Sequence, residues 1–438
     1  MSVALLTDRY ELTMLQAALR DGTAQRQCVF ETFARRLPPG RRYGIVAGTG
    51  RLAELLASFR FDRDDGSLDY LLQAGVIDDD TAAWLADFRF GGTIRGYAEG
   101  ECFFPDSPVL TVEGSFAECV LLETLVLSVL NHDCAVAGAA SRMTAAAVGR
   151  PCLEMGARRT HEQAAVAAAR AAFVAGFAGS SCLEAGRRWG VPTIGTAAHA
   201  FTLVHDSEQA AFASQVASMG VGTTLLLDTY DVAKAVERAV AVAGVDLAAV
   251  RIDSGDLTML AGQVRQLLDS LGAKQTKIVV TSDLDEYAIA ALAIAPVDTY
   301  GVGTRLVTGS GAPTAELVYK LVAREGANGQ LEAVAKTFGG KSSVGGAKWA
   351  GRRLDDSGQA VEEIVTVLPP GTAPPTNGDI RPLQVTYVNA GQIDPVWTGQ
   401  DGLQRARQRH LVSRDELPLH ATRLSQGEPV IPTLVNHG

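Results

Sequence analysis

The sequence contains little cysteine, histidine or aromatic residue, and it has no long uninterrupted apolar run. Six of its 438 residues are cysteines, seven are histidines and 6% are aromatic. The cysteines are scattered without a CxxC pair, which argues against a disulfide framework or a zinc site. Because no run of about 18 apolar residues occurs and acidic residues appear early, we expect no membrane span, no signal peptide and a cytoplasmic location.

An excess of positive charge is also missing. The formal net charge is −10, from 39 lysines and arginines against 49 aspartates and glutamates. This balance excludes a broad nucleic-acid surface, but clustered arginines could still bind a small anionic substrate. The hydrophobic fraction of 47% supports a sizeable core, and 438 residues exceed what one core usually covers.

The middle of the chain repeats a short β-rich run followed by an alanine-rich helical stretch. Such alternation predicts a parallel sheet, and strands that are apolar throughout indicate a sheet covered on both faces, or a barrel. Six or more units favour an α/β fold with an irregular (β/α) barrel. The predicted strand runs are PCLEMG (151–156), VPTIG (191–195), TTLLLD (223–228), LAAVRID (247–253), TKIVVTSD (276–283) and VDTYGVGT (297–304).

The flanks lack this rhythm and mix helix-like and strand-like pieces. We predict an N-terminal α+β domain over 1–110, a (β/α) barrel-like domain over 111–330, and a C-terminal region over 331–438. The C-terminal region is expected to pack with the N-terminal domain as a second, sheet-containing domain. Residues 115–133 are predicted to form an apolar helix that is too short and too charged to cross a bilayer.

Polar residues gather where the predicted strands end, and in barrels the chemistry takes place at those carboxyl ends. Glycine and hydroxyl loops bind phosphate oxygens, arginine forks phosphate or carboxylate, and aspartate holds Mg²⁺ or ribose hydroxyls. From its position alone His199 fits a core or capping role as well as a general base or phosphoryl acceptor. The strand-end residues are Glu154, Arg158, Arg159, Thr196, His199, Asp228, Arg251, Asp253, Asp256, Asp283, Asp285, Gly303, Thr304 and Thr308.

Six segments together resemble the nicotinate phosphoribosyltransferases, a family of type II phosphoribosyltransferases. The resemblance covers most of the first 322 residues in the family order. It implies that nicotinate attacks C1 of 5-phosphoribosyl 1-pyrophosphate, giving nicotinate mononucleotide and pyrophosphate in NAD salvage. It also implies coupled ATP hydrolysis through a phosphohistidine at His199. The segments are TDRYELTM (7–14), FETFARRLPPGRRYGIVAG (30–48), EMGARRTH (154–161), GTAAHAF (195–201), RIDSGD (251–256) and YGVGTRLVTGSGAPTAELVYKLV (300–322).

The resemblance also implies roles for individual residues. Tyr10 would stack on the pyridine ring, Arg251 would face the nicotinate carboxylate, and Thr196 would lie near the base. Ser181 stands where the nicotinamide-specific branch has an aspartate, which would repel a carboxylate. The residues implied for phosphoribosyl pyrophosphate are Arg36, Arg158, Asp253, Asp283, Gly303, Thr304 and Thr308.

The implied cofactor is Mg²⁺ and the implied co-substrate is ATP, with the metal ligands left unassigned. The partners are small molecules, with no nucleic acid and no membrane. A homodimer with shared active sites is implied, because Tyr10 and Arg36 are expected to act in the partner subunit's site.

Four alternatives stay open. Quinolinate phosphoribosyltransferase would need a more basic pocket and no phosphohistidine, and nicotinamide phosphoribosyltransferase would need the missing aspartate. A metal-dependent barrel hydrolase using His199, His205, Asp228 and Asp253 lacks the expected HxH or HxxxH spacing. A non-enzymatic binding or scaffold protein would not need charged residues at the ends of several separate strands.

Overall fold

The computed structural model describes residues 3–336, 344–369, 372 and 379–437. The chain divides into a central unit, Ala139–Gly311, and a terminal unit that joins Met1–Gly138 to Ala312–Gly438. The division at residues 138 and 139 falls inside the long helix that follows residue 122. The domain boundaries at 110/111 and 330/331 stay predictions.

The helices and strands alternate irregularly before residue 147, regularly in the central unit, and are mostly strands afterwards. The first group is α1 (Arg9–Asp21), β1 (Gln27–Ala34), β2 (Gly44–Ile45), α2 (Thr49–Leu56), α3 (Ser67–Gln73), α4 (Asp79–Asp87), β3 (Thr93–Tyr97), β4 (Cys102–Phe103), β5 (Leu110–Ser115), α5 (Phe116–Val120) and α6 (Glu123–Ala146). The second group is β6 (Cys152–Glu154), α7 (Glu162–Val174), β7 (Gly179–Ser180), α8 (Leu183–Trp189), α9 (His199–Leu203), α10 (Glu208–Met219), β8 (Thr224–Leu226), α11 (Val232–Ala243), β9 (Ala249–Ile252), α12 (Leu257–Ser270), β10 (Lys277–Ser282), α13 (Glu286–Ala291), β11 (Thr299–Val302) and α14 (Thr304–Val307). The third group is β12 (Leu317–Glu325), β13 (Leu331–Ala333), β14 (Lys348–Leu354), β15 (Ala360–Val367), β16 (Ile380–Pro382), β17 (Gln384–Asn389), β18 (Gln392–Ile393), α15 (Gly399–Asp415) and β19 (Thr433–His437).

The central unit is built on one parallel sheet with the strand order β7-β6-β11-β10-β9-β8. Its inner strands are largely buried, for example β10 with four buried residues between two exposed ends. Such strands need cover on both faces, which the intervening helices supply. The predicted parallel α/β organisation is confirmed. Among the described residues β7 and β8 do not pair with each other, so hydrogen bonds do not close the sheet into a complete barrel.

The predicted strand over VPTIG (191–195) is wrong. The strand beside β6 is β7, and VPTIG contributes only an isolated parallel bridge between Thr193 and Ser180. The Pro192 carbonyl accepts from Ser180 N at 2.9 Å. Because proline has no N–H to donate, the ladder of hydrogen bonds cannot continue through this residue. The segment therefore follows the sheet edge as an extended loop.

The terminal unit contains a sheet made from both ends of the chain. Its order is β13-β12-β1-β5-β3-β17-β18, and β1 lies between β12 and β5, antiparallel to both. Seven of the eight residues in β1 are buried. A segment from beyond residue 311 therefore completes a core that the N-terminal segment begins.

The apolar helix predicted over 115–133 is longer than expected. A capping box starts it, in which the Glu118 side chain accepts from Ser115 N at 2.9 Å and the Ser115 side chain accepts from Glu118 N at 3.3 Å. The helical segment Phe116–Ala146 has 31 residues, so by length and composition alone it could cross a membrane. The prediction that the helix is too short to cross a bilayer is therefore wrong. In the structure 67% of its most apolar stretch is buried, as in a core helix.

A buried ion network also stabilises the terminal unit. Arg352 is fully buried and donates to Glu101 at 2.8 Å, to Glu363 at 3.0 Å and to the Cys102 carbonyl at 2.7 Å. Burial raises the pKa of Glu101, but Arg352 and Arg381 outweigh it and lower that pKa to about 2. Removing one member of such a network leaves buried charge without compensation.

We expect Arg352→Ala to lower the free energy of unfolding by about 3–5 kcal/mol, because Glu101 and Glu363 would stay buried without their cation. Arg353→Ala is the matched control, since its side chain is 42% exposed and pairs with Glu362 at 2.6 Å. Its loss should cost less than about 1 kcal/mol. Urea unfolding measures both, and equal losses for the two variants would contradict the network's importance.

Candidate active site

Residues at the carboxyl ends of four neighbouring strands of the central unit enclose a cavity of about 240 Å³, the strand-end pocket. Six of the predicted site residues line it, namely Arg158, Arg251, Asp253, Asp283, Gly303 and Thr304. The other lining residues are Met155, Arg159, Thr281, Ser282 and Gly301. Three arginines and two aspartates give the lining a net positive charge, so the strand-end pocket suits an anion with hydroxyl groups.

Asp228 fixes the loop after β9. Its Oδ2 accepts from the backbone N–H of Asp253 at 3.1 Å and from the Ser254 hydroxyl at 2.6 Å. It is not the cap of α11, because Asp231 takes that role by accepting from Lys234 N at 2.9 Å. Asp228 therefore holds Asp253 in place beside the pocket.

The two acidic residues of RIDSGD, Asp253 and Asp256, have different roles. Gly255 has φ of +86°, a left-handed turn that glycine adopts without strain. Beyond this turn Asp256 accepts from Met259 N at 3.0 Å and caps α12. Only Asp253 faces the strand-end pocket, where its Oδ1 accepts from the Thr281 hydroxyl at the end of β10.

His199 begins α9 and lies beside Asp253. Its Nδ1 is 3.1 Å from the Thr229 hydroxyl, and its Nε2 is 4.0 Å from Asp253 Oδ2. The side chains of His199 and Asp253 are each 39% exposed, so solvent or a ligand can reach both. The imidazole is thus held by Thr229 at one nitrogen and open at the other.

Arg251 is the partly buried cation of the pocket. Its Nη1 donates to the Thr196 hydroxyl at 2.7 Å, and its Nε has no hydrogen-bond partner among the described residues. Burial lowers the pKa of the guanidinium, Asp253 and Asp228 oppose the shift, and Arg158 reinforces it. A bound carboxylate or phosphate would compensate this charge.

Glu154 connects two loops of the central unit through hydrogen bonds. Its side chain is buried and accepts from Gly156 N and from the Ser180 hydroxyl, while Ser181 N donates to its carbonyl at 2.8 Å. Burial raises the pKa of this carboxyl. One buried side chain therefore joins the loop that carries Arg158 to the loop that carries Ser181.

Three further predicted residues, Thr308, Tyr10 and Arg36, are not among the residues that line the strand-end pocket. The Thr308 hydroxyl donates to the Thr304 carbonyl at 2.8 Å at the end of α14. Tyr10 is 45% exposed on α1, where burial and Glu123 raise the pKa of its phenol. Arg36 is bonded to Glu316 at 2.6 Å. Tyr10 and Arg36 belong to the terminal unit, and their role in a partner subunit's site stays a prediction.

Three hydroxyl residues of the site were missed by sequence reasoning, namely Thr229, Ser254 and Thr281. The parallel register pairs Val280 with Ile252, so the next residues, Thr281 and Asp253, are neighbours. Aligning the strand ends of β9 and β10 would have found Thr281. Thr229 follows Asp228 in a turn and carries no comparable signal.

The residues fit Mg²⁺ only in company with a substrate. Across the described part of the chain, no three histidine, cysteine, aspartate or glutamate side chains come together as a metal site. Asp228 Oδ1 is buried without a hydrogen-bond partner there, and Asp283 lines the pocket. One or two carboxylates with substrate phosphates are a usual Mg²⁺ environment.

His205 contacts the Phe201 carbonyl at 2.7 Å, which gives no support to the hydrolase alternative.

The chain is similar in sequence to enzymes that share one activity. Residues 5–131 match the model of the nicotinate phosphoribosyltransferase (NAPRTase) N-terminal domain. A nicotinate phosphoribosyltransferase of Mycobacterium tuberculosis is 57% identical over 437 residues, covering 98% of this chain and 94% of that protein. The human nicotinate phosphoribosyltransferase is 30% identical over 464 residues, covering 87% of this chain and 85% of that protein.

A solved structure agrees with these relatives. The crystal structure of human nicotinic acid phosphoribosyltransferase superposes with a TM-score of 0.82 at 25% identity, covering 98% of this chain and 97% of that chain. The similarity in fold therefore extends over nearly the whole length of both chains.

We expect Glu154→Ala to lower the free energy of unfolding by about 2–4 kcal/mol, because Gly156 N and the Ser180 hydroxyl lose their buried acceptor. Glu154→Gln is the control, since an amide oxygen can still accept, and it should cost about 1 kcal/mol or less. Because the folded pKa is raised, the contribution of the carboxyl declines as pH rises through that pKa. Urea unfolding at several pH values checks this, and a loss for Gln as large as for Ala would contradict it.

Proposed function

Since this chain belongs to the nicotinate phosphoribosyltransferase family, we propose that it couples nicotinate phosphoribosyl transfer to ATP hydrolysis through a phosphohistidine at His199. The resemblance seen in the sequence is confirmed, and nicotinate phosphoribosyltransferase activity follows from it. The observation that supports the proposal best is the position of Asp253, which lines the strand-end pocket with Arg251 and Arg158 and lies 4.0 Å from His199 Nε2.

Nicotinate is proposed to bind through its carboxylate to Arg251. Thr196 orients the guanidinium from one side by accepting from its Nη1 at 2.7 Å. A planar fork of N–H donors matches a carboxylate, which makes arginine suited to this role. Ser181 adds no negative charge near the base, and Tyr10 would stack on the pyridine ring.

The phosphoribosyl pyrophosphate is proposed to lie along the ends of β9, β10 and β11. Asp253 would hold the ribose hydroxyls and Arg158 the phosphates. The remaining residues proposed for this substrate are Arg36, Asp283, Gly303, Thr304 and Thr308. The pyridine nitrogen forms a bond to C1, and the bond between C1 and the pyrophosphate oxygen breaks, with the electron pair leaving on pyrophosphate. Cationic side chains that stabilise this growing charge lower the barrier.

His199 is proposed to accept the γ-phosphoryl group of ATP. A ring nitrogen forms the bond to phosphorus as the bond to ADP breaks, and later hydrolysis releases phosphate. The imidazole ring is partly exposed beside Asp253, which supports the proposal that the γ-phosphate of ATP can reach it. Nucleophilic histidine divides a difficult coupling into two easier steps.

Mg²⁺, when bound with the substrate, would neutralise phosphate charge. Asp228 and Asp283 are the carboxylates proposed to assist in holding it. We further propose a cytoplasmic homodimer in which Tyr10 and Arg36 complete the partner subunit's site.

The alternatives receive less support. A quinolinate enzyme would use no phosphohistidine, whereas a partly exposed histidine, His199, lies beside Asp253 here. A nicotinamide enzyme needs an acceptor for an amide, and Ser181 replaces the aspartate expected there. The family membership of the chain favours nicotinate over both.

We expect His199→Ala to abolish coupled ATP hydrolysis while some ATP-independent transfer survives at high substrate, because the phosphoryl acceptor is gone but the transfer pocket remains. Labelled phosphate retained on the protein should fall to background, and ADP formed per nicotinate mononucleotide should fall about tenfold or more.

The matched control is His205→Ala, which removes a nearby imidazole that is bonded to the Phe201 carbonyl. It should retain the wild-type ratio of ADP to product. If His199→Ala couples ATP as the wild type does, the phosphohistidine assignment is wrong even where transfer activity is normal. If wild-type protein transfers no phosphoribosyl group to nicotinate, the proposed activity itself fails.

We expect Arg251→Ala to raise the KM for nicotinate about 10- to 100-fold, the loss expected for one charged hydrogen-bonded contact. The KM for phosphoribosyl pyrophosphate should change by less than about threefold, because its phosphates have other partners. Arg251→Lys keeps the charge but loses the fork, and it should fall between wild type and Ala. Steady-state kinetics with each substrate varied separately measures this, and equal losses for both substrates would refute the carboxylate assignment.

A further inference from the structure

A second cavity of the central unit lies at the opposite, amino-terminal ends of the same strands. Its volume is about 470 Å³, roughly twice that of the strand-end pocket. It is lined by the segments that lead into β6, β10 and β11 and by α12. We name it the basic pocket, because four of its five ionisable lining residues are cations, namely Arg150, Arg265, Lys274 and Lys277, against Asp298.

Two of these cations are neutralised locally. Arg265 pairs with Asp269 at 2.8 Å, and Lys277 pairs with Asp298 at 3.2 Å. Lys274 is exposed, and neither Arg150 nor Lys274 has a carboxylate within ion-pair distance in the described part of the chain. Two positive charges are therefore left over, in a protein whose formal net charge is −10.

The two guanidinium groups are fixed before any ligand arrives. Arg150 donates to the Tyr300 hydroxyl at 2.8 Å and to the Ala293 carbonyl at 3.0 Å. Arg265 donates to the carbonyls of Thr276 at 2.7 Å and Ala273 at 2.9 Å. Side chains that are already ordered lose little rotamer freedom on binding. The basic pocket thus differs from a surface patch of freely moving lysines.

We propose that the basic pocket binds the phosphate dianion of a small phosphorylated molecule. A phosphate monoester carries a charge of about −1.5 to −2 at neutral pH, which matches the two uncompensated cations. The Arg150 guanidinium can donate to phosphate oxygens, and the flexible Lys274 adds a point charge, whereas Arg265 is already committed to Asp269. The volume is in the range of sites for small molecules, so a nucleoside monophosphate fits as well as free phosphate. This inference is independent of the function proposed for the strand-end pocket.

The decisive variant is Lys274→Glu, which reverses one uncompensated charge on an exposed side chain and should leave folding intact. Isothermal titration with inorganic phosphate and with AMP measures the affinity. We expect Lys274→Glu to weaken one phosphate site by about tenfold or more, the effect of losing a charged contact and adding a repulsive one. Lys274→Arg should bind like the wild type.

The matched control is Lys234→Glu, the same charge change on an exposed lysine of α11 outside the basic pocket. It should change the phosphate affinity by less than about twofold, since a distant charge is screened by salt. Equal behaviour of Lys274→Glu and Lys234→Glu would overturn the proposal. AMP binding more tightly than phosphate identifies a nucleotide ligand, and equal affinities identify free phosphate.

Because the strand-end pocket is also proposed to receive phosphates, a crystallographic experiment locates the anion. Crystals soaked in tungstate, a tetrahedral dianion, should show anomalous density between Arg150 and Lys274. Density in the strand-end pocket alone would overturn the proposal, whatever the titrations give.

Discussion

The arrangement of the site depends on how Asp253 is held between two neighbouring strand ends. Asp228, after β8, accepts from its backbone N–H, and Thr281, at the end of β10, donates to its carboxylate. Hydrogen bonds to charged groups contribute about 1.5–3 kcal/mol each, so two of them suffice to select one position and one rotamer. The distance from Asp253 to His199 and the compensation of Arg251 both follow from that position.

Two arginines show how the same side chain serves structure or binding according to its partners. Arg352 in the terminal unit is fully buried between Glu101 and Glu363, whose two carboxylates neutralise its charge. Arg251 in the central unit is partly buried beside Arg158, and burial lowers the pKa of its guanidinium although Asp253 and Asp228 oppose that shift. A cation kept in that condition is less stable alone than with an anion beside it. The incompletely compensated charge thus distinguishes the arginine proposed to bind a ligand from the structural one.

Sequence reasoning found what is local and missed what depends on register. Apolar runs ending in charge located β6, β8, β9, β10 and β11, and the strand-end residues came with them. The sequence RIDSGD does not distinguish the roles of Asp253 and Asp256. Asp256 caps α12 and Asp253 faces the pocket, because the chain turns between them at Gly255, which has a positive φ. The bond between Thr281 and Asp253 needs the pairing of two strands 28 residues apart. The pairing of β1 with β12 is more distant still, and no local pattern indicates it.

The neutral residue at position 181 can be understood from the carboxyl beneath it. Ser181 donates its backbone N–H to Glu154, and the neighbouring Ser180 donates its hydroxyl to the Glu154 side chain. Burial already raises the pKa of Glu154, and the residues that bond its side chain are neutral. An aspartate at position 181 would bring a second negative charge close to this buried group, and like charges in a low dielectric disfavour each other's ionised forms. The support of the loop by Glu154 therefore favours a neutral residue at position 181, and so does the nicotinate binding proposed for this site.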